Sequence, residues 1–219
     1  MITFEDVKEN EEVKTYLQTA DDNFIAVGYK EHGSRHAITS AVVSGYILNS
    51  LGYPEKDVEL AKIAAYLHDI GNALGQTDHN LTASILAMKF LRKIDMPPKD
   101  IFRVMVAIGS HEDRNEDPPN EICAAVILGD KSDVHRMRVR KTDKKWFDLH
   151  DTVNYAVSET GIKVDAKNKI IAIHVNIDVK LCSVMEYFEI FISRMQFCRR
   201  ASAYFGCEFE LYINGDKMI

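Results

Sequence analysis

The stretch Leu67-His68-Asp69-Ile70-Gly71 closes an apolar run with an adjacent imidazole and carboxylate, then stops on a glycine. The residues before it, Val58, Leu60, Ala61, Ile63, Ala64, Ala65 and Leu67, are apolar nearly all round a helical wheel. That pattern belongs to a buried central helix, and Pro54 suits its first position. Gly71 reads as its terminator. A carboxylate at the end of such a helix is costly, because desolvation opposes its ionisation and the helix dipole disfavours negative charge there. A bound cation removes both penalties.

Working outward, the same arrangement of donors at helix ends recurs. Upstream, Ile38, Ala41, Val42, Gly45 and Leu48 mark a helix from residue 34 to Gly52, with His36 in its first turn. Downstream, Asp78 reads as an N-cap, with His79 in the first turn of a helix that buries Leu81, Ile85, Met88 and Leu91. After Met96-Pro97-Pro98 a helix restarts, with Ile101, Val104, Met105 and Ile108 inward and His111 one turn further on the same face. Asn120 caps a largely buried helix that leads to a second acid, Asp130. Taken singly, each of these histidines is more often structural than functional. Taken together, His36, His68, Asp69, His79, His111 and Asp130 read as one metal site assembled from five helices. Imidazole and carboxylate donors suit a divalent transition metal: iron, manganese, zinc, cobalt or nickel. Donors spread from residue 36 to residue 130 need a helical core to converge them. Six exceed the needs of one tetrahedral ion and fit two ions bridged by a carboxylate, most naturally Asp69.

The chain has 219 residues, 46% hydrophobic and 27% charged, a balance that supports a sizeable core and excludes disorder. Its net charge of -6 argues against a general nucleic-acid binder. The acidic segment over residues 1–31 reads as helices over residues 4–18 and 22–27 with a solvated face. Cys123, Cys182, Cys198 and Cys207 form no CxxC pair and sit in or beside apolar runs, which points to packed thiols in a reducing compartment. No apolar start resembles a signal peptide, and no run is long enough to span a membrane. The expected location is cytoplasmic.

Residues 112–119 are polar and proline-broken, a surface loop. Lys131, Arg136, Arg138, Arg140, Lys141, Lys144 and Lys145 then face only Asp133 and Asp143. The proximal part of this run directly follows a candidate ligand, so Lys131 and Arg136 are the expected phosphate-binding groups. Asp133 is expected to orient Lys131 or to take part in proton transfer. After about residue 150 the period becomes two. Val153, Tyr155 and Val157 suggest one strand. Ile171, Ile173, Val175, Ile177 and Val179 suggest another, with His174 on its polar side as a surface or interface residue. Val184, Phe188, Phe191, Met195 and Cys198 form a helical stripe, and Phe209, Leu211 and Ile213 a last strand. The fold expected is mainly α: a helical metal-binding domain over residues 1–148, then a small α+β module over 149–219 in the order ββαβ, with an antiparallel sheet and one helix.

His36, then His68-Asp69, then Asp130, each on a separate helix, resembles the HD-domain metal-dependent phosphohydrolases, over roughly residues 33–138. With His79 and His111 in the intervening helices, the pattern resembles the binuclear branch. The run His68-Asp69-Ile70-Gly71 is similar to that of the HD-GYP cyclic di-GMP phosphodiesterases. This chain departs from them with Asn72, where they usually carry lysine, and with Glu112-Asp113-Arg114-Asn115 in place of a GYP signature. Gly129-Asp130-Lys131-Ser132-Asp133-Val134-His135-Arg136 is more similar to the HD-type diadenosine tetraphosphate hydrolases.

The resemblance implies an HD-type bundle and hydrolysis of a phosphate ester or phosphoanhydride, of a nucleotide, by a metal-activated hydroxide. One metal falls to His36, His68, Asp69 and Asp130 and a second to Asp69, His79 and His111. Asp69, Lys131 and Arg136 are the candidate catalytic residues. The expected partner is a small phosphorylated or nucleotide substrate. Nucleic acid and membrane are disfavoured, and a homodimer through the sheet is a hypothesis. The alternative is a non-catalytic nucleotide or metal sensor on the same fold.

Overall fold

The computed structural model describes residues 1–26, 28, 30–112 and 116–219. The expected helix end at Val27 and the central part of the expected polar loop, residues 113–115, lie outside the described residues.

Local capping chemistry sets the entry. Thr3 and Asp6 form a reciprocal capping box on α1 (Phe4–Lys8). The Glu12 amide donates to Asn10 Oδ1 at 2.9 Å, which starts α2 (Glu11–Ala26). The break therefore falls at Glu9-Asn10, not near residue 20, and Asp22 lies inside a continuous helix.

The centre is built from α3 (Ser34–Ser50), α4 (Glu55–Leu67) and α7 (Glu121–Ser132), which pack on one another. Around α4, Val58, Leu60, Ala61, Ile63, Ala64, Ala65, Tyr66 and Leu67 are all buried. Pro54 sits just outside the helix as its N-cap rather than at its first position. Helix α7 is buried from Ile122 to Ser132. The two most buried of these helices thus both lead to acids inside the molecule. Helices α5 (His79–Lys93) and α6 (Pro98–Ser110) pack together across the far side. Helix α5 buries Ala83, Ala87, Phe90 and Leu91, whereas Leu81 and Ile85 are exposed. The expected face is rotated because small Ala83 and Ala87 allow close approach to neighbouring backbone.

Gly71 is such an approach. It lies in a 3-10 turn, Ile70–Ala73, and is not a left-handed helix terminator. A Cβ there would lie 2.0 Å from His79 O and 2.6 Å from Ala83 N. Gly129 plays the same part between α7 and α3, where a Cβ would lie 2.6 Å from Ser40 O. No helix among the described residues is long and apolar enough to cross a membrane.

The expected strand around Val153 is a helix, α8 (Leu149–Ala156). Asp148 and Asp151 form its capping box, and Val153 and Ala156 are spaced to share its buried side. Strands β1 (Val157–Asp165) and β2 (Ile170–Ile177) pair antiparallel, as do β3 (Glu208–Ile213) and β4 (Asp216–Lys217). Strands β2 and β3, however, run parallel. The sheet is mixed because α9 (Val184–Tyr204) is long enough to carry the chain back to the starting edge before β3 begins. Asn214-Gly215, both at positive φ, make the two-residue turn into β4. Ile171, Ile173, Val175, Phe209, Leu211 and Ile213 are buried, and His174 stacks on Tyr212 at 4.6 Å on the opposite face. Helix α9 also packs against α7, and residues of both segments join one apolar core. All four cysteines are buried thiols.

Gly71→Ala is expected to cost about 3 kcal/mol or more, since the clash is with backbone that cannot rotate away. Urea unfolding of the purified variant measures this.

Candidate metal centre

Four histidines and two acids converge where the helix ends meet. His36 (first turn of α3) and His68 (C-cap of α4) are fully buried. Asp69, His111 (C-cap of α6) and Asp130 (last turn of α7) are buried as well. His79, the first residue of α5, is partly exposed. The imidazoles form a chain, with ring centroids 5.2 Å apart for His36 and His68, 5.0 Å for His68 and His111, and 5.4 Å for His79 and His111.

Local backbone chemistry aims each ring. A helix end leaves carbonyls without intrahelical partners. His68 Nδ1 meets Ala65 O at 2.6 Å, and His111 Nδ1 meets Ile108 O at 2.6 Å, each three residues back. His79 Nδ1 lies 3.1 Å from Gln76 O. His36 Nδ1 lies 2.6 Å from Asp133 Oδ2. Those acceptors assign the proton to Nδ1 and turn the Nε2 lone pair inward, as in histidines that ligate metals.

The inward atoms meet the acids. His36 Nε2 is 3.3 Å from Asp130 Oδ1 and 3.8 Å from Asp69 Oδ2. His68 Nε2 is 3.4 Å from Asp69 Oδ2 and 3.7 Å from Asp130 Oδ1. His79 Nε2 is 3.3 Å from the other Asp69 oxygen, Oδ1. The Nε2 atoms of His36 and His68 are buried without a hydrogen-bond partner. Two orphaned imidazole lone pairs facing carboxylate oxygens fit a cation and are costly without one. Among the described residues, three groups of side chains could hold a metal ion: His36, His68 and Asp130; His68, Asp69 and His111; and His79, His111 and Glu112.

The charges fit the same purpose. Burial opposes ionisation of Asp69, but His68 and His79 hold its carboxyl well below the usual range. Burial likewise opposes Asp130, and Lys131, His36 and His68 hold it low. Burial opposes a charge on His68, yet Asp69 and Asp130 raise it to about 9, so those acids call for positive charge at this position. Burial, with His68 and Lys131 nearby, pushes His111 down to about 4 and keeps it a neutral donor.

Lys131 is buried, with its ammonium 2.7 Å from Asp130 Oδ2 and paired to Glu112. Arg136 is not brought to the cluster. It is exposed, donates to Val157 O at 3.4 Å and lies over the Tyr155 ring. The 3-10 turn Arg136–Arg138 after α7 directs it outward while its neighbour Arg138 turns in. Asp133 has a different task from the one expected. It orients His36 and takes a bidentate pair from Arg35, at 3.1 and 2.8 Å, instead of meeting Lys131. Burial opposes its charge, but His36, Arg138 and Arg35 hold it ionised.

Three neighbours escaped the sequence reading. Glu112 joins His79 and His111, and only its adjacency to His111 hinted at this. His32, four residues before His36, stacks near it at 5.6 Å, and burial keeps it neutral. Arg194 comes from α9, and no sequence pattern links it to the cluster.

Residues 33–138 match the HD domain family. An uncharacterized protein of Methanocaldococcus jannaschii is 25% identical over 185 residues, covering 73% of this chain and 70% of that protein. Ribonuclease Y of Treponema denticola is 29% identical over 104 residues, which span 48% of this chain but only 18% of that enzyme. The crystal structure of a predicted HD superfamily hydrolase from an uncultured Thermotogales bacterium superposes with a TM-score of 0.46 at 20% identity, covering 57% of this chain and 67% of that one.

Asp133→Asn is expected to lower divalent-metal affinity about 10- to 100-fold, because the amide no longer fixes the His36 ring by accepting from Nδ1 with a full charge. Metal titration of the purified variant checks this, with Arg136→Gln expected to bind as wild type.

Proposed function

Residues 33–138 belong to the HD domain family, and on that premise we propose that the protein is a metal-dependent phosphohydrolase acting on a phosphate ester or phosphoanhydride of a nucleotide. The observation that carries this reading is the set of inward Nε2 atoms around Asp69 and Asp130, two of them buried without a hydrogen-bond partner among the described residues. A structural histidine in a dry core has both ring nitrogens satisfied; these do not.

In this reading His36, His68, Asp69 and Asp130 hold one metal, and Asp69, His79 and His111 a second. Support for a bridging Asp69 comes from its two oxygens, since Oδ2 faces His36 and His68 while Oδ1 faces His79. Glu112 is placed to complete the second set. Divalent metals held there would lower the pKa of water and draw charge from the phosphoryl oxygens. The protein's own groups do the remaining work. Asp133 and the helix-end carbonyls of Ala65 and Ile108 hold the imidazoles in register. Lys131 brings an ammonium to the rim of the cluster, where it can share its charge between Asp130 and a phosphoryl oxygen. Asp69 is the residue on which both metal sets depend.

The test is a substrate panel of nucleoside polyphosphates, mononucleotides, cyclic dinucleotides and p-nitrophenyl phosphate. A short RNA is included because one relative is a ribonuclease. Wild type with added Mn, Fe, Zn, Co or Ni is expected to release product from at least one class, and Asp69→Ala to lose about a hundredfold or more in kcat/KM. Full activity in Asp69→Ala would refute the mechanism. Bound metal with no turnover across the panel would favour a metal or nucleotide sensor on the same fold.

A further inference from the structure

Arg194 lies on α9, outside residues 33–138, yet it is close enough to Asp130 and Glu112 for their charges to act on it. Its guanidinium rests on the face of Phe191, 4.7 Å from the ring centroid. That contact fixes the plane of the group but uses none of its five N–H donors. Its Nη1 is buried and has no hydrogen-bond partner. No carboxylate forms an ion pair with it among the described residues. Its electrostatic neighbours are Asp130 and Glu112, with the cations Arg138 and Lys131 also acting on it or feeling it. Burial and Arg138 press its pKa below the usual arginine value.

The nearby anions are already engaged. Lys131 takes both Asp130 and Glu112. Asp133 takes Arg35 and His36, and its backbone carbonyl accepts from Arg138. Three cations, Lys131, Arg138 and Arg194, therefore act on one another beside these acids, and among the described residues Arg194 has no ion-pair partner of its own. A guanidinium left so is destabilising unless an oxyanion completes it. The residue as a whole keeps partial exposure, while its Nη1 is enclosed. Helix α9 also supplies Phe197, whose ring lies 5.4 Å from Lys131 Nζ, so one helix shapes both cationic groups.

We propose that Arg194 and Lys131 form a phosphate-binding subsite beside Asp130, with the C-terminal segment supplying the arginine that Arg136 does not. The planar fork of Arg194 takes two oxygens of a phosphoryl group, and the Lys131 ammonium takes a third as a point charge. This rests on the phosphohydrolase reading for the identity of the anion, while the unmet donor stands apart from it. The segment after residue 148 thereby completes the substrate site.

Inorganic phosphate is the probe, titrated by calorimetry into the purified full chain with and without added divalent metal, alongside a metal-content measurement. The expected result is phosphate binding by wild type, unchanged in Arg136→Gln, weakened about tenfold or more in Arg194→Gln and partly restored in Arg194→Lys. Arg194→Gln is expected to retain wild-type metal content and to melt at the same or higher temperature without phosphate. Phosphate should raise the melting temperature of wild type much more than that of the variant. Wild-type phosphate affinity in Arg194→Gln, or no phosphate binding by wild type, overturns the subsite. A lowered melting temperature with unchanged phosphate affinity also overturns it and assigns Arg194 a purely structural role. The metal content and the Asp69→Ala assay decide the phosphohydrolase reading separately.

Discussion

The structure depends on holding ionised carboxylates at the ends of its most deeply buried helices. Asp69 and Asp130 are each delivered by a helix buried almost throughout. Neither the helix dipole nor the dry surroundings favour their charge. The molecule answers with imidazoles from α3, α5 and the end of α4 and with the ammonium of Lys131, which together keep both acids ionised. Removing any one of these partners leaves a buried charge short of compensation, so the helices that carry them are tied to a single arrangement.

Two further constraints make that arrangement reachable. The first is steric: Gly71 and Gly129 let backbone meet backbone next to the acids, so α5 comes close enough for His79 to reach Asp69 and α7 close enough for Asp130 to reach His36. The second is local hydrogen bonding. His68 and His111 use the same device, closing the carbonyl of the last turn of their own helix with Nδ1 and thereby presenting Nε2. His36 begins its helix and has no such carbonyl at hand, so a remote carboxylate, Asp133, takes that part and is itself held by Arg35.

The C-terminal segment joins this core through α9 against α7. Its parallel β2–β3 pair follows from the length of that crossover helix, and the crossover is also what lays Phe197 beside Lys131 and Arg194 on the ring of Phe191. Topology and site chemistry are therefore coupled: an antiparallel return would need only a short turn and would place no helix there.

The sequence by itself determined the helical centre, because apolar periodicity in residues 58–67 and 122–128 points to buried helices, and the placement of His36, His68, Asp69, His79, His111 and Asp130 at helix ends marked them as candidate donors. The tertiary structure alone decided what local pattern cannot encode. Leu81 and Ile85 have helical spacing, yet the face that docks is the one with small alanines. Val153 and Tyr155 alternate like a strand, yet an Asp148–Asp151 capping box commits them to a helix. Basic Arg136 follows Asp130 closely, yet a 3-10 turn sends it outward, while Asp133 and Arg194 reach the site from directions that depend on how distant helices cross. Periodicity reports which side of an element is apolar; which charged groups meet across the core is settled only when all the helices pack at once.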